Sequence, residues 1–291
     1  MAHEKIGVVL SGGGAKGAGQ LGMMKYIYET GVRSDYISGI SVGSLNATLW
    51  AQEENLDLLE ELWCGIKGNS DVYRKNWFRP WKLYRSLFDN KPLKRKVKKY
   101  INPDKLKTSP IELQIGVVQL QSGMYRIVDK FHSDYNSMLL ASTAIPVVFP
   151  AVSCQGQEYV DGGVRNVAPL KAAIDFGCSK IYILHCYSLD AAEEDKKFKD
   201  VMSIGIRSFA IMYNEILKND IETCETINQA IKSKRVPLDK NYQLVELIMI
   251  EPPLDQQFGF ELDFSPPQIK KNIELGYKIA KETLEGDALK F

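Results

Sequence analysis

Near the amino terminus, short apolar runs alternate with amphipathic stretches. Ile6–Leu10 is an uninterrupted apolar run that ends in a glycine cluster, a pattern typical of a parallel strand buried on both faces. A helical pattern over 18–30 follows and stops at Gly31. Residues 36–40 then predict a second strand, which leads into a helix beginning near Ser44. The first fifty residues therefore predict a β-α-β-α unit.

The rest of the chain predicts further strands and helices of the same class. Helices are expected over 56–67, 134–143, 169–176, 202–231 and 266–284, and strands over 111–120, 124–128, 181–184 and 244–250, the first two joined as a hairpin. These elements predict an α/β fold with a mainly parallel sheet flanked by helices. We expect one domain over 1–291, with a helix-rich carboxyl-terminal part over 195–291.

Composition and charge remove several classes of protein. The 291 residues are 45% hydrophobic and 25% charged, as in globular domains, and a net charge of +1 gives no global reason to expect nucleic acid. Five cysteines without a C-x-x-C pair predict neither a metal site nor a cofactor. The first apolar run is too short for a signal or a membrane span, so we expect a cytoplasmic protein with at most peripheral membrane contact.

Positive charge is concentrated between Arg74 and Lys99. This segment holds eleven Lys or Arg residues and one acid, a net charge of +10, so the remainder of the chain sums to −9. Interleaved with the basic residues are Trp77, Phe78, Trp81, Tyr84, Leu87, Phe88 and Leu93. Because basic and aromatic side chains favour anionic membrane surfaces, one hypothesis is a membrane-docking flap over 68–105. The alternative is a solvated basic helix with its aromatic residues packed inward.

A candidate nucleophile lies between the second strand and its helix. Residues 39–43 read Gly-Ile-Ser-Val-Gly and match the G-x-S-x-G nucleophile elbow, with Ser41 at its centre and Gly39 and Gly43 at its ends. The strand-turn-helix context required by that motif is predicted here. The elbow also places the serine hydroxyl at a helix amino terminus, which favours a developing oxyanion.

A glycine-rich loop follows the first strand. Gly12-Gly13-Gly14-Ala15-Lys16-Gly17 fits the spacing of a dinucleotide fingerprint, but no acidic residue ends the second strand, where Ser41 lies instead. It is no P-loop either, because Lys-Ser or Lys-Thr does not follow Gly17. The remaining function is an oxyanion hole built from backbone amides. Lys16 is left with two roles, anchoring the loop or approaching a phosphate.

Two candidates compete for the general base that a serine nucleophile needs. His185 closes a predicted strand, and the order Ser41, Asp161, His185 is that of α/β-hydrolases. The other candidate is Asp161 itself, followed by Gly162 and Gly163, which we expect to free the backbone around its carboxylate. An ordinary aspartate is a weak base at neutral pH, so burial would have to raise its pKa.

These three motifs, in this order, resemble the patatin-like phospholipase family. The resemblance covers about residues 5–185 and includes the blocks Ser44-Leu45-Asn46-Ala47 and Ala141-Ser142-Thr143-Ala144-Ile145-Pro146. It implies a three-layer sandwich and a Ser41–Asp161 dyad without histidine. It also implies an oxyanion hole from the amides of Gly12, Gly13, Gly14 and Val42, no metal and fatty-acyl ester substrates.

The sequence thus predicts a serine-dependent lipid acyl hydrolase of the phospholipase A or lysophospholipase type. The alternatives are a weakly active lipid-sensing protein on the same fold and a nucleotide-binding protein that uses the glycine loop. Lipid class, positional preference and oligomeric state stay open.

Overall fold

The chain folds around a mixed sheet. A computed structural model describes residues 4–76, 85–190, 197–234 and 242–288. The strands are β1 (Ile6–Leu10), β2 (Tyr36–Gly39), β3 (Arg74–Lys75), β4 (Phe88–Asp89), β5 (Glu112–Gln119), β6 (Tyr125–Asp129), β7 (Val152–Cys154), β8 (Gln157–Asp161), β9 (Lys180–Leu184) and β10 (Glu246–Ile250). The helices are α1 (Gly17–Glu29), α2 (Val42–Glu53), α3 (Asp57–Cys64), α4 (Lys91–Tyr100), α5 (Pro103–Thr108), α6 (Tyr135–Ser142), α7 (Leu170–Phe176), α8 (Val201–Lys232) and α9 (Pro266–Ala288).

The main sheet has the order β10-β9-β1-β2-β5-β8-β7, with β6 on the free edge of β5. The strands from β10 to β5 are parallel to one another, whereas β6, β8 and β7 join by antiparallel pairs. The prediction of a mainly parallel sheet flanked by helices is confirmed. The β7–β8 hairpin was not predicted, because its short strands are only half buried and lack a clear apolar run.

Two apolar cores cover the two faces of the sheet. In β1, Val8 and Leu10 point into one core with α1, α2 and α9, while Val9 points into the other with α7 and α8. This alternation follows from the period of two residues in a strand and explains why the run is apolar throughout. The result is the expected three-layer arrangement of helix, sheet and helix.

The register of β5 determines which residues meet at the end of the sheet. Gly39, the last residue of β2, pairs with Ile115, and Asp161, the last residue of β8, pairs with Val117. Since β6 occupies the opposite edge of β5 throughout 114–118, β2 and β8 follow each other along the same edge. Two residues of β5, about 7 Å, therefore separate the two strand ends.

The basic segment is described only in part. Trp77, Phe78, Trp81 and Tyr84 lie outside the described residues, so the flap over 68–105 stays a prediction. The described part contains the β3–β4 pair and α4. In α4, Pro92 and Val97 are buried, while most of the Lys and Arg side chains are exposed. Phe88 packs inward against Tyr73, with ring centroids 4.7 Å apart, as the alternative interpretation expects for its aromatic residues.

Helix α9 packs closely against α1 through small residues. A Cβ atom on Gly276 would overlap the carbonyl oxygen of Gly19, and one on Gly22 would overlap the carbonyl oxygen of Ile273. The two backbones therefore approach more closely than any larger side chain would allow. This contact fixes the carboxyl-terminal helix to the first βα unit.

We expect Gly276→Ala to destabilise the protein by about 1–3 kcal/mol or more, because the α1 and α9 backbones must separate. Gly205→Ala in α8 is the matched control, since nothing lies within 4 Å of its added methyl group. The control should stabilise by up to about 1 kcal/mol through helix propensity. Urea unfolding curves measure both changes, and shifts of the same sign would contradict the packing argument.

Candidate active site

Ser41 occupies a strained turn between β2 and α2. Its φ of 55° and ψ of −127° lie outside the regions that L-residues normally adopt. Helix α2 begins at Val42, two residues earlier than predicted, so Ser41 is its N-cap residue. The Ser41 amide donates a hydrogen bond to the Ser142 hydroxyl at 3.2 Å. The strained conformation is thus held in place by neighbouring structure, as in a nucleophile elbow.

The glycines on either side of Ser41 allow α2 to cross the strand ends. A Cβ atom on Gly43 would lie 2.5 Å from the Leu10 carbonyl oxygen, and one on Gly39 would overlap the Gly43 carbonyl group. A Cβ atom on Gly17 would overlap the Val42 side chain. Gly39 and Gly43 are therefore explained by close approach between backbone segments, and Gly17 by close approach of the Val42 side chain, rather than by chain flexibility.

Asp161 lies at the end of β8 with its carboxyl group fully buried. Oδ1 accepts a hydrogen bond from the Gly163 amide at 2.8 Å, whereas Oδ2 has no hydrogen-bond partner within the described structure. Burial raises the Asp161 pKa to about 7, and this shift is opposed by the Ser41 hydroxyl and the Gly163 amide. An aspartate with this pKa exchanges protons near neutral pH.

The Ser41 hydroxyl therefore interacts with Asp161, yet the contact is looser than a standard hydrogen bond. It contributes to the Asp161 pKa, while Oδ2 still lacks a partner at hydrogen-bonding geometry. A hydroxyl group lowers the pKa of a nearby carboxyl group even beyond the ideal length of a hydrogen bond. Loose contacts of this kind are common in ligand-free catalytic sites and tighten when substrate binds.

Gly162 and Gly163 are required for space, and our expectation that they free the backbone is wrong. Neither has a positive φ. A Cβ atom on Gly162 would lie 2.5 Å from the Gly116 carbonyl oxygen, and one on Gly163 would lie 2.6 Å from the Tyr213 hydroxyl. The pair begins a 3-10 turn that β5 and α8 enclose on both sides.

The glycine loop approaches Ser41 directly. A Cβ atom on Gly12 would lie 3.1 Å from the Ser41 Cβ, and one on Gly13 would lie 2.5 Å from the Cys186 Cβ. Gly14 adopts a φ of 57°. Within the described residues, the amides of Gly12, Gly13, Gly14 and Val42 donate no hydrogen bond. These unpaired donors belong to the loop that approaches Ser41 and to the residue that follows Ser41, and an oxyanion hole requires donors of this kind.

Lys16 is held inside the protein. Its Nζ forms an ion pair with Glu261 Oε1 at 2.9 Å and lies 3.9 Å from the centre of the Tyr187 ring. The Glu261 carbonyl oxygen also accepts a hydrogen bond from the Ala15 amide at 2.8 Å. Of its two candidate roles, the geometry favours the one in which Lys16 anchors the glycine loop.

His185 has a separate hydrogen-bond partner. Its ring is completely buried, and Nε2 is 3.1 Å from Asn214 Oδ1. Burial lowers its pKa to about 4, so the ring is neutral at physiological pH. No hydrogen bond within the described structure connects it to Ser41 or Asp161. The geometry therefore offers no Ser-Asp-His relay.

Two small apolar cavities meet at Ser41. One, of about 60 Å³, extends between α2, α3 and α4 and is lined mainly by apolar residues such as Trp63 and Phe264. The other, of about 30 Å³, extends toward α8 and is lined by Phe209 and Tyr213. Their apolar walls suit hydrocarbon chains on either side of a bond to be cleaved.

Three residues of this site were not predicted from sequence. Tyr213 adjoins Asp161 from α8, Glu261 holds the glycine loop, and Lys96 of α4 lines the first cavity. None belongs to a local motif, because each comes from a distant part of the chain. The described residues contain no cluster of three or more His, Cys, Asp or Glu side chains able to hold a metal, and no described helix is long and apolar enough to cross a membrane.

A family model described as patatin-like phospholipase matches residues 8–174. The chain belongs to the patatin-like phospholipase family. The match runs from β1 to α7 and contains the glycine loop, Ser41 and Asp161, but not His185, Tyr213 or Glu261. The family is one of carboxylic ester hydrolases.

Known patatin-like proteins resemble the chain over different extents. The neuropathy target esterases sws of Drosophila melanogaster and Drosophila persimilis are each 49% identical to it over 56 residues, which is 19% of this chain and 4% of each esterase. Thus the chain matches only a small part of these much longer relatives. VipD from Legionella pneumophila superposes with a TM-score of 0.50 and 14% identity over 97% of this chain and 67% of VipD, a similarity of fold.

The raised pKa of Asp161 should make stability depend on pH. The folded pKa of about 7 lies above the ordinary aspartate value of 3.8, so the folded state holds the proton more tightly and stability falls as pH rises from about 4 to 7. Asp161→Asn keeps the Gly163 hydrogen bond and removes this loss. We expect the variant to be more stable than the natural protein at pH 8, by at most about 4 kcal/mol, with little difference at pH 4. Equal stability differences at both pH values, in urea unfolding, would contradict the assignment.

Proposed function

We propose that the chain is a serine-dependent lipid acyl hydrolase that cleaves fatty-acyl esters through a Ser41–Asp161 dyad. The observation that carries the proposal is the buried Asp161 carboxyl group, with a pKa of about 7, in contact with a strained serine that lines two apolar cavities. Family membership supports the same chemistry. No cofactor is needed for it.

In the first step, Ser41 Oγ attacks the ester carbonyl carbon while Asp161 accepts the hydroxyl proton. Negative charge develops on the carbonyl oxygen, toward which the amides of Gly12, Gly13, Gly14 and Val42 and the amino terminus of α2 would donate. Collapse of this intermediate breaks the bond to the alcohol, which leaves with the proton from Asp161. The acyl group remains on Ser41.

In the second step, water attacks the acyl-serine carbonyl carbon and Asp161 accepts a proton from the water. The second intermediate collapses to release the fatty acid, and Asp161 returns the proton to Ser41 Oγ. One carboxyl group thus acts as base and acid in turn, which requires a pKa near the working pH. Burial supplies that pKa without a histidine.

The cavity between α2, α3 and α4 supports a phospholipid substrate. Among the described residues that line it, Lys96 is the only charged one. Leu93, one turn earlier on the same face of α4, also lines the cavity. An apolar cavity with one cation suits an acyl chain attached to a phosphate-bearing headgroup.

The basic segment between Arg74 and Lys99 supports peripheral contact with anionic membranes. The exposed lysines and arginines of α4 would each contribute about 1 kcal/mol near an anionic surface. Cytoplasmic localisation accompanies this proposal as a prediction.

Substitutions in the dyad should abolish turnover while a change at His185 should not. We expect Ser41→Ala and Asp161→Asn to lower kcat on a p-nitrophenyl ester by at least a thousandfold. His185→Gln keeps a hydrogen-bonding partner for Asn214 and should retain activity. In the natural protein, kcat/KM should rise with pH through an apparent pKa of about 7 as Asp161 loses its proton.

The reverse pattern, with activity lost in His185→Gln and kept in Asp161→Asn, would replace the dyad by a triad. Lipid binding by a folded protein without turnover of any ester would favour the lipid-sensing alternative. Circular dichroism of each variant separates loss of chemistry from loss of fold.

Lys96→Met should weaken binding of phospholipid without changing the chemical step. We expect KM for a lysophospholipid to rise about tenfold with kcat unchanged, and both constants for a short neutral ester to stay the same. Arg95→Met is the matched control, because Arg95 is exposed on α4 and does not line the cavity. Similar kinetic changes in the two variants would remove Lys96 from the site.

A further inference from the structure

Besides the two small cavities at Ser41, a larger cavity lies along a different face of α4. It is an open groove of about 470 Å³ between α4, α6 and β7. Four basic residues line it, namely Arg85, Lys91, Lys94 and Lys98. Asp89 is the acidic residue among the described lining residues, and Ser41 does not take part. Neither the family's chemistry nor the proposed dyad uses this groove.

The basic side chains follow the helical repeat. Lys91, Lys94 and Lys98 are spaced three and four residues apart, so they form one stripe on α4 that spans about 10 Å along the helix. Lys96 and Leu93 lie on a different face and line the cavity at Ser41. Helix α4 thus presents separate cationic groups to two cavities.

The groove also contains buried polar atoms without partners. Asn90 is only 6% exposed and lines the groove, yet its Nδ2 group donates no hydrogen bond. Asn136 lines it as well, and its buried Oδ1 accepts none. Buried polar atoms are almost always paired, and an unpaired one costs roughly 1–3 kcal/mol. A ligand that supplies both an acceptor and a donor would remove this cost.

Existing contacts leave most of the cations available. Arg85 forms an ion pair with Glu158 at 3.2 Å, but its side chain is 72% exposed, and such surface pairs contribute little. Asp89 accepts a hydrogen bond from the Lys91 amide at 3.0 Å. The side chains of Lys91, Lys94 and Lys98 are exposed beside the groove.

We propose that this groove binds a phosphorylated polyol, with its phosphates on the lysine stripe and Asn90 and a hydroxyl group on Asn136. Several cations 10 Å apart suit more than one phosphate, by the helical rise of about 1.5 Å per residue. The dianion of a phosphate monoester has no proton for the Asn136 oxygen, whereas a polyol hydroxyl has one. The ligand is either the headgroup of a membrane lipid or the free compound.

The test measures binding to the full chain and needs no turnover, so it does not depend on the Ser41–Asp161 proposal. Titration calorimetry uses myo-inositol trisphosphate and inorganic phosphate as soluble probes. Vesicle flotation compares phosphatidylcholine vesicles containing phosphatidylinositol bisphosphate with vesicles containing phosphatidylserine at equal total charge. Affinity at least tenfold higher for the bisphosphate vesicles than for the soluble probe identifies the lipid as ligand, and equal affinities identify the free compound.

Variants connect binding to the groove. Asn90→Asp preserves the shape of the side chain but places a carboxylate opposite the phosphate, so binding should fall more than tenfold. Lys94→Gln should weaken binding about tenfold and serves if Asn90→Asp does not fold. Arg95→Gln removes an exposed charge from α4 outside the groove and should change affinity less than twofold.

Three outcomes would overturn the proposal. The first is no binding of the trisphosphate or of bisphosphate vesicles. The second is equal binding to phosphatidylserine vesicles, which would indicate attraction to charge alone. The third is an equal loss of affinity in Lys94→Gln and Arg95→Gln, which would mean that the groove has no special role.

Discussion

The proposed chemistry depends on the burial of one carboxyl group. Asp161 is completely buried and has no cationic partner among the described residues, and this burial raises its pKa to about 7. The cost of burying the group is the source of its basicity. Helix α8 contributes to this burial through Tyr213, whose own pKa is raised by burial and by the nearby carboxyl group. Stability and proton transfer thus oppose each other at one residue.

Strand β5 brings the buried Asp161 close to Ser41, because it pairs with both β8 and β2 and aligns Asp161 with the end of β2. The Ser41 turn then follows β2 directly, and the glycine loop follows β1, its parallel neighbour. Three strand ends therefore bring together the proposed nucleophile, the proposed base and the proposed amide donors. Ligand sites at the carboxyl ends of parallel strands are general in α/β folds. The carboxyl-terminal third completes the site, since Glu261 fixes the loop through Lys16 and Ala15.

Helix α4 places basic residues of the segment between Arg74 and Lys99 at two different cavities. Its faces separate one lysine at the cavity of Ser41 from three lysines at the polar groove. Helical geometry therefore divides the positive charge of α4 into groups with different surroundings. The groove and the Ser41 cavity share one helix, so a ligand in the groove would contact an element that also shapes the substrate cavity.

The sequence by itself determined the first four secondary-structure elements and the motif residues. Apolar runs, and glycines at the ends of elements, predicted β1, α1, β2 and α2 within a few residues, because buried strands and amphipathic helices have local patterns. Motif order predicted the family, and the elbow predicted the strained turn at Ser41. Only the tertiary structure decided the Asp161 pKa, the internal ion pair of Lys16, the spatial need for Gly162 and Gly163, and the burial of His185 against Asn214. Each of these depends on burial and on contacts between residues far apart in the chain, which no local pattern records.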